Sequence, residues 1–223
     1  EFVFDGAHAI GEANWAPFVL QMQEKGVEYM TVFSAWEEIV NLQAAMAQQN
    51  FEPITGLETN MYTAKYPGAA KGNAEGSYVQ LTTWPFGEAD DNPAMAQYLA
   101  ALEAAVPGAA PEQMGVQSWS AWLMWATAVK NLGSDVTRES LEKELDTFTS
   151  WDGGGLHGTS NPAGNEPAPC FILMQVEGDG FIRAFPTKDE DAAIYEDGKG
   201  FSCNDEYVVT LQTDYDNGAR RSN

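Results

Sequence analysis

The stretch YMTVFSAWEEIVNLQAAMAQQNFEPITGLE, residues 29–58, decides the fold of this chain. Tyr29–Phe33 is an apolar run that predicts a buried strand, and Phe51–Thr55 predicts the next one. Between them, apolar side chains recur every three or four positions over Trp36–Gln49, which predicts an amphipathic helix. Strands that alternate with helices of this length are typical of parallel pairing with right-handed crossovers.

The same alternation begins upstream. Phe2-Val3-Phe4 predicts a short first strand, and Asn14 is placed to cap a helix that Gly26 ends. In parallel sheets, ligands bind beyond the carboxyl ends of the strands. Function is therefore expected in the loops that follow the three strands, at Asp5–Trp15, Ser34–Glu37 and Gly56–Tyr62.

Downstream, the predicted elements change in character. Asn92-Pro93 predicts the capped start of one helix, and Thr137 predicts the start of another. The segment Ser118–Val129 is apolar around most of its circumference, which predicts a helix buried on several sides. Further strands are predicted at Ser77–Thr82, Phe171–Val176, Phe181–Phe185 and Tyr207–Leu211.

The chain is strongly acidic. Its 33 acidic and 11 basic residues give a formal net charge of −22, which argues against nucleic acid and anionic membrane surfaces as partners. A hydrophobic content of 44% supports a real core. The sequence contains no run of the ~20 apolar residues that a membrane-spanning helix needs. Because it also lacks a phosphate-binding glycine loop, no cofactor is expected.

Two cysteines, Cys170 and Cys203, bracket the final strands. An even count with this spacing favours a disulfide that ties down the C-terminal segment, and with it an extracytoplasmic location. Two free buried thiols are an alternative. A metal pair is disfavoured, because only His8 and His157 could join the cysteines and neither has ligand spacing.

The order of these elements resembles the type 1 periplasmic binding proteins, and most closely the leucine/isoleucine/valine-binding branch that serves ABC importers. The resemblance covers roughly residues 1–186. The strings that carry it are Phe4-Asp5-Gly6, Lys25-Gly26-Val27-Glu28-Tyr29, Pro53-Ile54-Thr55-Gly56-Leu57-Glu58, the apolar helix Trp119–Val129, the helix start Asp135–Leu141 and the hairpin end Phe181–Pro186.

This resemblance implies an α/β fold with a Rossmann-like parallel sheet flanked by helices, and only the C-terminal portion of the family's two lobes. Residues 1–110 would form the second ligand-binding lobe, and residues 111–150 the helices that return toward the first lobe. Residues 151–223 would form a closing hairpin and a disulfide-tied tail. A first lobe from upstream sequence, or a partner chain, would cover the apolar helix, which otherwise exposes an apolar patch.

The resemblance also implies a ligand site. Glu58 matches the carboxylate that neutralises the ligand's ammonium in amino-acid-binding members, since a partly buried cation needs a fixed anion. The structural alternative is that Glu58 caps the segment after it. Trp36 matches an aromatic residue that lies against the ligand side chain, and its alternative is a core residue at a helix start. The neighbouring candidates are Ser34, Ala35, Asn60, Met61 and Tyr62.

The implied function is that of an extracytoplasmic solute-binding protein of an ABC transporter. It would close two lobes on a branched-chain or other apolar amino acid, or on a related amide or aromatic acid, and deliver it to a membrane permease. A ligand-sensing domain of a receptor is the alternative, and a doubly wound α/β enzyme is a weaker one. No nucleophile motif accompanies His157, so no catalytic residue is expected, and no metal site is expected because neither histidine has ligand spacing.

Overall fold

One mixed sheet of six strands organises residues 1–208, the part of the chain that this computed structural model describes. The strands are β1 (Tyr29–Val32), β2 (Ile54–Leu57), β3 (Tyr78–Leu81), β4 (Cys170–Glu177), β5 (Gly180–Phe185) and β6 (Ser202–Cys203). The helices are α1 (Ala16–Glu24), α2 (Trp36–Gln48), α3 (Tyr66–Ala70), α4 (Pro93–Ala105), α5 (Gln113–Leu132), α6 (Arg138–Leu145) and α7 (Ala192–Asp197). Short 3₁₀ turns lie at Thr59–Met61, Phe86–Asp91 and Asp205–Tyr207.

The strand order is β1-β2-β3-β4-β5, and β6 pairs with the start of β4. β1, β2 and β3 run parallel, with α2 and α3 as the connecting helices. β4 is antiparallel to β3 and forms a hairpin with β5. The predicted α/β fold, a sheet flanked by helices with closing strands, is therefore confirmed, and only the first half of the sheet is parallel.

Three predictions near the amino terminus are wrong. Phe2-Val3-Phe4 forms no strand, because a strand exists only through hydrogen bonds to a neighbour and a three-residue pattern does not specify one. Asn14 does not cap α1, whose N-cap position is Trp15. β1 lies at the edge of the sheet rather than in its interior, so Met30 is buried while Tyr29 is 59% exposed.

The capping chemistry predicted further along is confirmed. Asn92 Oδ1 accepts a hydrogen bond from the Met95 N–H at 2.9 Å. Thr137 Oγ1 accepts from the Ser140 N–H at 3.1 Å, and Ser140 Oγ accepts in return from the Thr137 N–H at 2.8 Å. This reciprocal arrangement is a capping box. Both caps join residues three positions apart, so local sequence is enough to locate them.

Helix α5 is buried on one side only. Val116 and Ala128 are fully buried, whereas Trp122 and Trp125 are 65% and 41% exposed. The two indoles contact each other edge to face, with ring centroids 5.4 Å apart. The prediction of a helix buried on several sides is thus wrong for this chain by itself, and the expected exposed apolar patch is present.

The predicted disulfide between Cys170 and Cys203 is confirmed. The two cysteines face each other in the pairing of β4 with β6. Tyr207 lies in a 3₁₀ turn and packs edge-on against Phe171, with ring centroids 5.0 Å apart. The rest of the strand predicted over Tyr207–Leu211, from residue 209 onward, lies outside the described residues. Within residues 1–208, no helix combines the length and the apolar character needed to cross a membrane.

Candidate ligand-binding site

Hydrogen bonds join the three loops in which function is expected, two of which follow strands β1 and β2. Asn60 Nδ2, in the turn after β2, donates to the Ser34 carbonyl oxygen in the loop after β1 at 2.9 Å. The Glu38 carboxylate, in the first turn of α2, accepts from the Ser34 hydroxyl and from the Gly11 N–H. The loops in which function is expected therefore meet at one edge of the sheet, where the carboxyl ends of parallel strands lie.

Glu58 directly follows β2 and has an exposed side chain. Its backbone occupies the N-cap position of the Thr59–Met61 turn, but its carboxylate makes no capping hydrogen bond. Capping is therefore not what holds this side chain in place. An exposed carboxylate at the carboxyl end of a strand can accept charge-assisted hydrogen bonds from a cationic group.

Two buried polar atoms next to Glu58 have no hydrogen-bond partner within residues 1–208. They are the hydroxyl oxygen of Thr59 and the carbonyl oxygen Oδ1 of Asn60. Leaving such a buried group unpaired costs about 1–3 kcal/mol. Because Asn60 Nδ2 is already held by Ser34, the amide orientation is set and Oδ1 is left as an acceptor. The turn after β2 thus concentrates hydrogen-bond acceptors.

The candidates after β1 lie beside this turn. Ser34 is 9% exposed, and Ala35 is exposed at the N-cap position of α2. Trp36 is half-buried and packs against the main apolar cluster. Part of its indole is therefore a core contact, and the remaining surface stays exposed next to the loop.

Tyr62 is a core residue in this structure. Only 2% of its surface is exposed, and its ring centroid lies 4.2 Å from that of Phe86 and 4.8 Å from that of Phe181. The Gly87 N–H donates to its hydroxyl oxygen at 3.3 Å. Burial raises the pKa of Tyr62 well above its ordinary value. Met61, the last residue of the turn, and Tyr62, which follows it, are both buried in the core, and ligand contact by Tyr62 stays a prediction.

Glu38 is a residue that sequence reasoning missed. Three effects lower the pKa of its carboxyl. The largest is the hydrogen bond from Ser34, the next is the hydrogen bond from Gly11, and a smaller one is the charge effect of His8. The available signal was its place in the first turn of α2, where a carboxylate complements the helix dipole and can reach back to preceding residues. Its role is to hold the loops after the first predicted strand and β1 together.

His157 lies apart from these loops, in the connection between α6 and β4. Its Nε2 is 2.8 Å from Ser120 Oγ on α5. Within residues 1–208, no group of three His, Cys, Asp or Glu side chains is placed to hold a metal ion.

The chain thus combines a sheet flanked by helices with loops that hydrogen bonds join at the carboxyl ends of its parallel strands. The family described as periplasmic binding protein matches residues 1–180 of the chain. The chain belongs to this family, which confirms the resemblance. No curated protein matches it.

Solved structures share the fold at low sequence identity. A fatty acid ABC transporter substrate-binding protein from Thermomonospora curvata is 14% identical, with a TM-score of 0.67 over 82% of this chain and 49% of the other. A leucine binding protein from Thermotoga maritima is 13% identical, with a TM-score of 0.64 over 78% of this chain and 48% of the other. A branched chain amino acid ABC transporter from Thermus thermophilus with bound valine is 13% identical, with a TM-score of 0.63 over 86% and 53%.

Such identities show the fold alone. The chain spans about half the length of each of these structures. Their names describe transport proteins rather than enzymes, and they include both amino acid and fatty acid ligands. The fold by itself therefore does not select the ligand.

Proposed function

We propose that this chain is the second ligand-binding lobe of an extracytoplasmic solute-binding protein that serves an ABC importer. Residues 1–110 form the lobe, residues 111–150 return toward a first lobe, and residues 151–223 close the structure. The family membership and the convergence of the strand-end loops support this assignment. The disulfide supports an extracytoplasmic location, because disulfides persist in oxidising compartments.

The ligand is a branched-chain or other apolar amino acid, or a related amide or aromatic acid. The observation that carries this proposal is the exposed carboxylate of Glu58 at the carboxyl end of β2. An ammonium group has three donors and no acceptor, so it matches a carboxylate, which only accepts. Ser34, Ala35 and Trp36 form the neighbouring wall, and the partly exposed indole suits an apolar side chain.

The partner of this lobe is a first lobe, in the same polypeptide or in a partner chain. Its docking surface is the exposed face of α5, with Trp122 and Trp125 at its centre. Large aromatic side chains in contact with each other are typical anchors of such an interface. The loaded protein in turn docks on a permease in the membrane.

The test is a thermal-shift screen of the complete two-lobed protein against amino acids, small amides and aromatic acids. A ligand present at 100 times its dissociation constant adds about 2.7 kcal/mol to the free energy of unfolding, which is a readily measured shift. Hits among apolar amino acids support the proposal. Hits confined to acids without an amine would remove the ammonium role of Glu58, and no hit in the whole panel would contradict the proposed ligand class.

A further inference from the structure

A cavity lies between α5 and the connection from α6 to β4. Its volume is about 370 Å³, within the range of ~300–1,000 Å³ that small-molecule pockets occupy. Thr82, the residue that follows β3, lines it, so the cavity also lies at the carboxyl end of a parallel strand. It shares no lining residue with the loops around Glu58.

A chain of hydrogen bonds fixes two aromatic side chains of this cavity. Trp151 Nε1 donates to Ser120 Oγ at 3.0 Å, and Ser120 Oγ lies 2.8 Å from His157 Nε2. His157 Nδ1 lies 2.8 Å from the Gly158 carbonyl oxygen, so Nδ1 carries the proton and Nε2 accepts from the serine hydroxyl. Ser120, at the centre of this chain, is 4% exposed.

The loop that carries these side chains is held at several points. The Trp84 N–H donates to the Leu156 carbonyl oxygen at 2.7 Å, and Asn92 Nδ2 donates to the Gly155 carbonyl oxygen at 2.8 Å. Gly153 has a φ of +67°, and a Cβ there would lie 2.6 Å from Ser120 Oγ, so only glycine fits. The walls are therefore formed before any ligand arrives, which lowers the entropic cost of binding.

The chemistry of the lining is neutral. In a chain with 33 acidic and 11 basic residues, none of the described side chains that line this cavity is Asp, Glu, Lys or Arg. An ionic ligand would lose hydration there without gaining a counter-charge. The Trp151 indole offers a flat apolar surface, and Gln117 and Thr82 offer uncharged hydrogen-bonding groups at the rim.

We propose that this cavity is a second binding site, which takes an uncharged small molecule with a flat aromatic body and one amide or hydroxyl group. The site goes beyond the proposed solute-binding function, because it involves neither Glu58 nor the acceptors around it. Either site can fail its test while the other stands.

Benzamide, benzoate and benzylammonium are suitable probes, because they share one ring and differ in charge. The measurement is equilibrium dialysis of each probe against the 223-residue chain and two variants, Ala121→Trp and Ala126→Trp. Both alanines are exposed on α5, and of the two only Ala121 lines the cavity. The large indole at position 121 fills the site, whereas the same side chain at position 126 is a matched control.

Benzamide is expected to saturate the wild-type chain and Ala126→Trp, and to bind Ala121→Trp at least about tenfold more weakly, a difference of about 1.4 kcal/mol. Benzoate and benzylammonium are expected to bind the wild type at least about tenfold more weakly than benzamide. Equal binding of the charged probes, unchanged binding by Ala121→Trp, or absence of benzamide saturation would overturn the proposal. Should Ala121→Trp fail to fold, Gln117→Ala decides the same question by removing the amide at the rim.

Discussion

Arg183 and Glu88 form the least exposed ion pair within residues 1–208, with Arg183 Nη2 2.6 Å from Glu88 Oε2. Arg183 Nε also donates to both carboxylate oxygens, at 3.1 and 3.0 Å. The guanidinium carbon lies 5.1 Å from the ring centroid of Trp84 and 5.3 Å from that of Tyr195. One side chain of β5 thus ties the segment after β3 to α7.

Replacing Arg183 by Met tests this link. The change keeps an apolar stem but leaves the Glu88 carboxylate, 24% exposed, without its partner. Loss of one member of a buried ion pair costs about 3–5 kcal/mol, and partial exposure of Glu88 places the expected loss at the lower end of this range. Urea unfolding measures it, and Arg138→Met is the control, because the Arg138–Glu142 pair is exposed and solvent screening leaves it with little effect on stability. Equal effects of the two changes would contradict this account.

Reduction of the disulfide between Cys170 and Cys203 is expected to lower the free energy of unfolding by about 3–4 kcal/mol. The reason is the loop-closure entropy that the unfolded chain regains over a separation of 33 residues. Urea unfolding with and without reductant measures the difference. Thiol titration of the native, unreduced chain should find no reactive group at either position, and two reactive thiols would refute the pairing.

Tyr66 makes stability depend on alkaline pH. Its side chain is fully buried, its hydroxyl donates to Gln43 Oε1 at 2.9 Å, and burial raises its pKa to about 12. Because the pKa is raised on folding, the contribution of Tyr66 to the free energy of unfolding is fully present below the unfolded-state pKa near 10. It is lost as the pH rises toward 12, a decline of about 2–3 kcal/mol in all. Tyr66→Phe should flatten this decline, at the cost of an unpaired Gln43 carbonyl at neutral pH. Tyr29→Phe, at an exposed position, is the control and should leave the alkaline decline unchanged.

Glu38 makes the loop arrangement sensitive to acidic pH. Hydrogen bonds from Ser34 and Gly11 lower the pKa of this carboxyl below its ordinary value of 4.5. A carboxyl whose pKa is lowered on folding stabilises the folded state above its unfolded-state pKa. That stabilisation is lost as the pH falls through the folded-state pKa. The amide proton of Gly11, observed by NMR, should therefore change its chemical shift only below pH 4.5 and lose that transition in Glu38→Gln. A Gly11 shift that is the same in the variant would exclude the contact.

Local chemistry explains which features could be predicted from the sequence. The caps at Asn92 and Thr137 were predictable because each joins residues three positions apart. The absence of a strand at Phe2–Phe4 was not predictable, since pairing depends on a distant neighbour that no short pattern encodes. The same limit applies to the cavity beside α5, where Ser120 meets Trp151 and His157 across 31 and 37 positions.

The candidate site also combines features that local sequence predicts with features that depend on distant contacts. The alternation of elements placed the loops that hold Glu58 and Trp36 after predicted strands, and the family resemblance singled out these two residues. The structure positions the two loops after β2 and β1. The contact of Asn60 with Ser34 spans 26 positions, and the burial of Tyr62 depends on Phe181 far along the chain. Sequence therefore predicted which loops meet, but not which side chains are turned toward the core.

The most direct test of the central claim is calorimetric titration of the complete two-lobed protein with its best-binding amino acid and with the same molecule lacking the amino group. Glu58→Gln is titrated alongside the wild type. If Glu58 meets the ligand ammonium, removal of either charge should weaken binding by about 2–5 kcal/mol, and removal of both should add little further. Wild-type affinity in Glu58→Gln, or equal affinity for the molecule without an amine, would contradict the account.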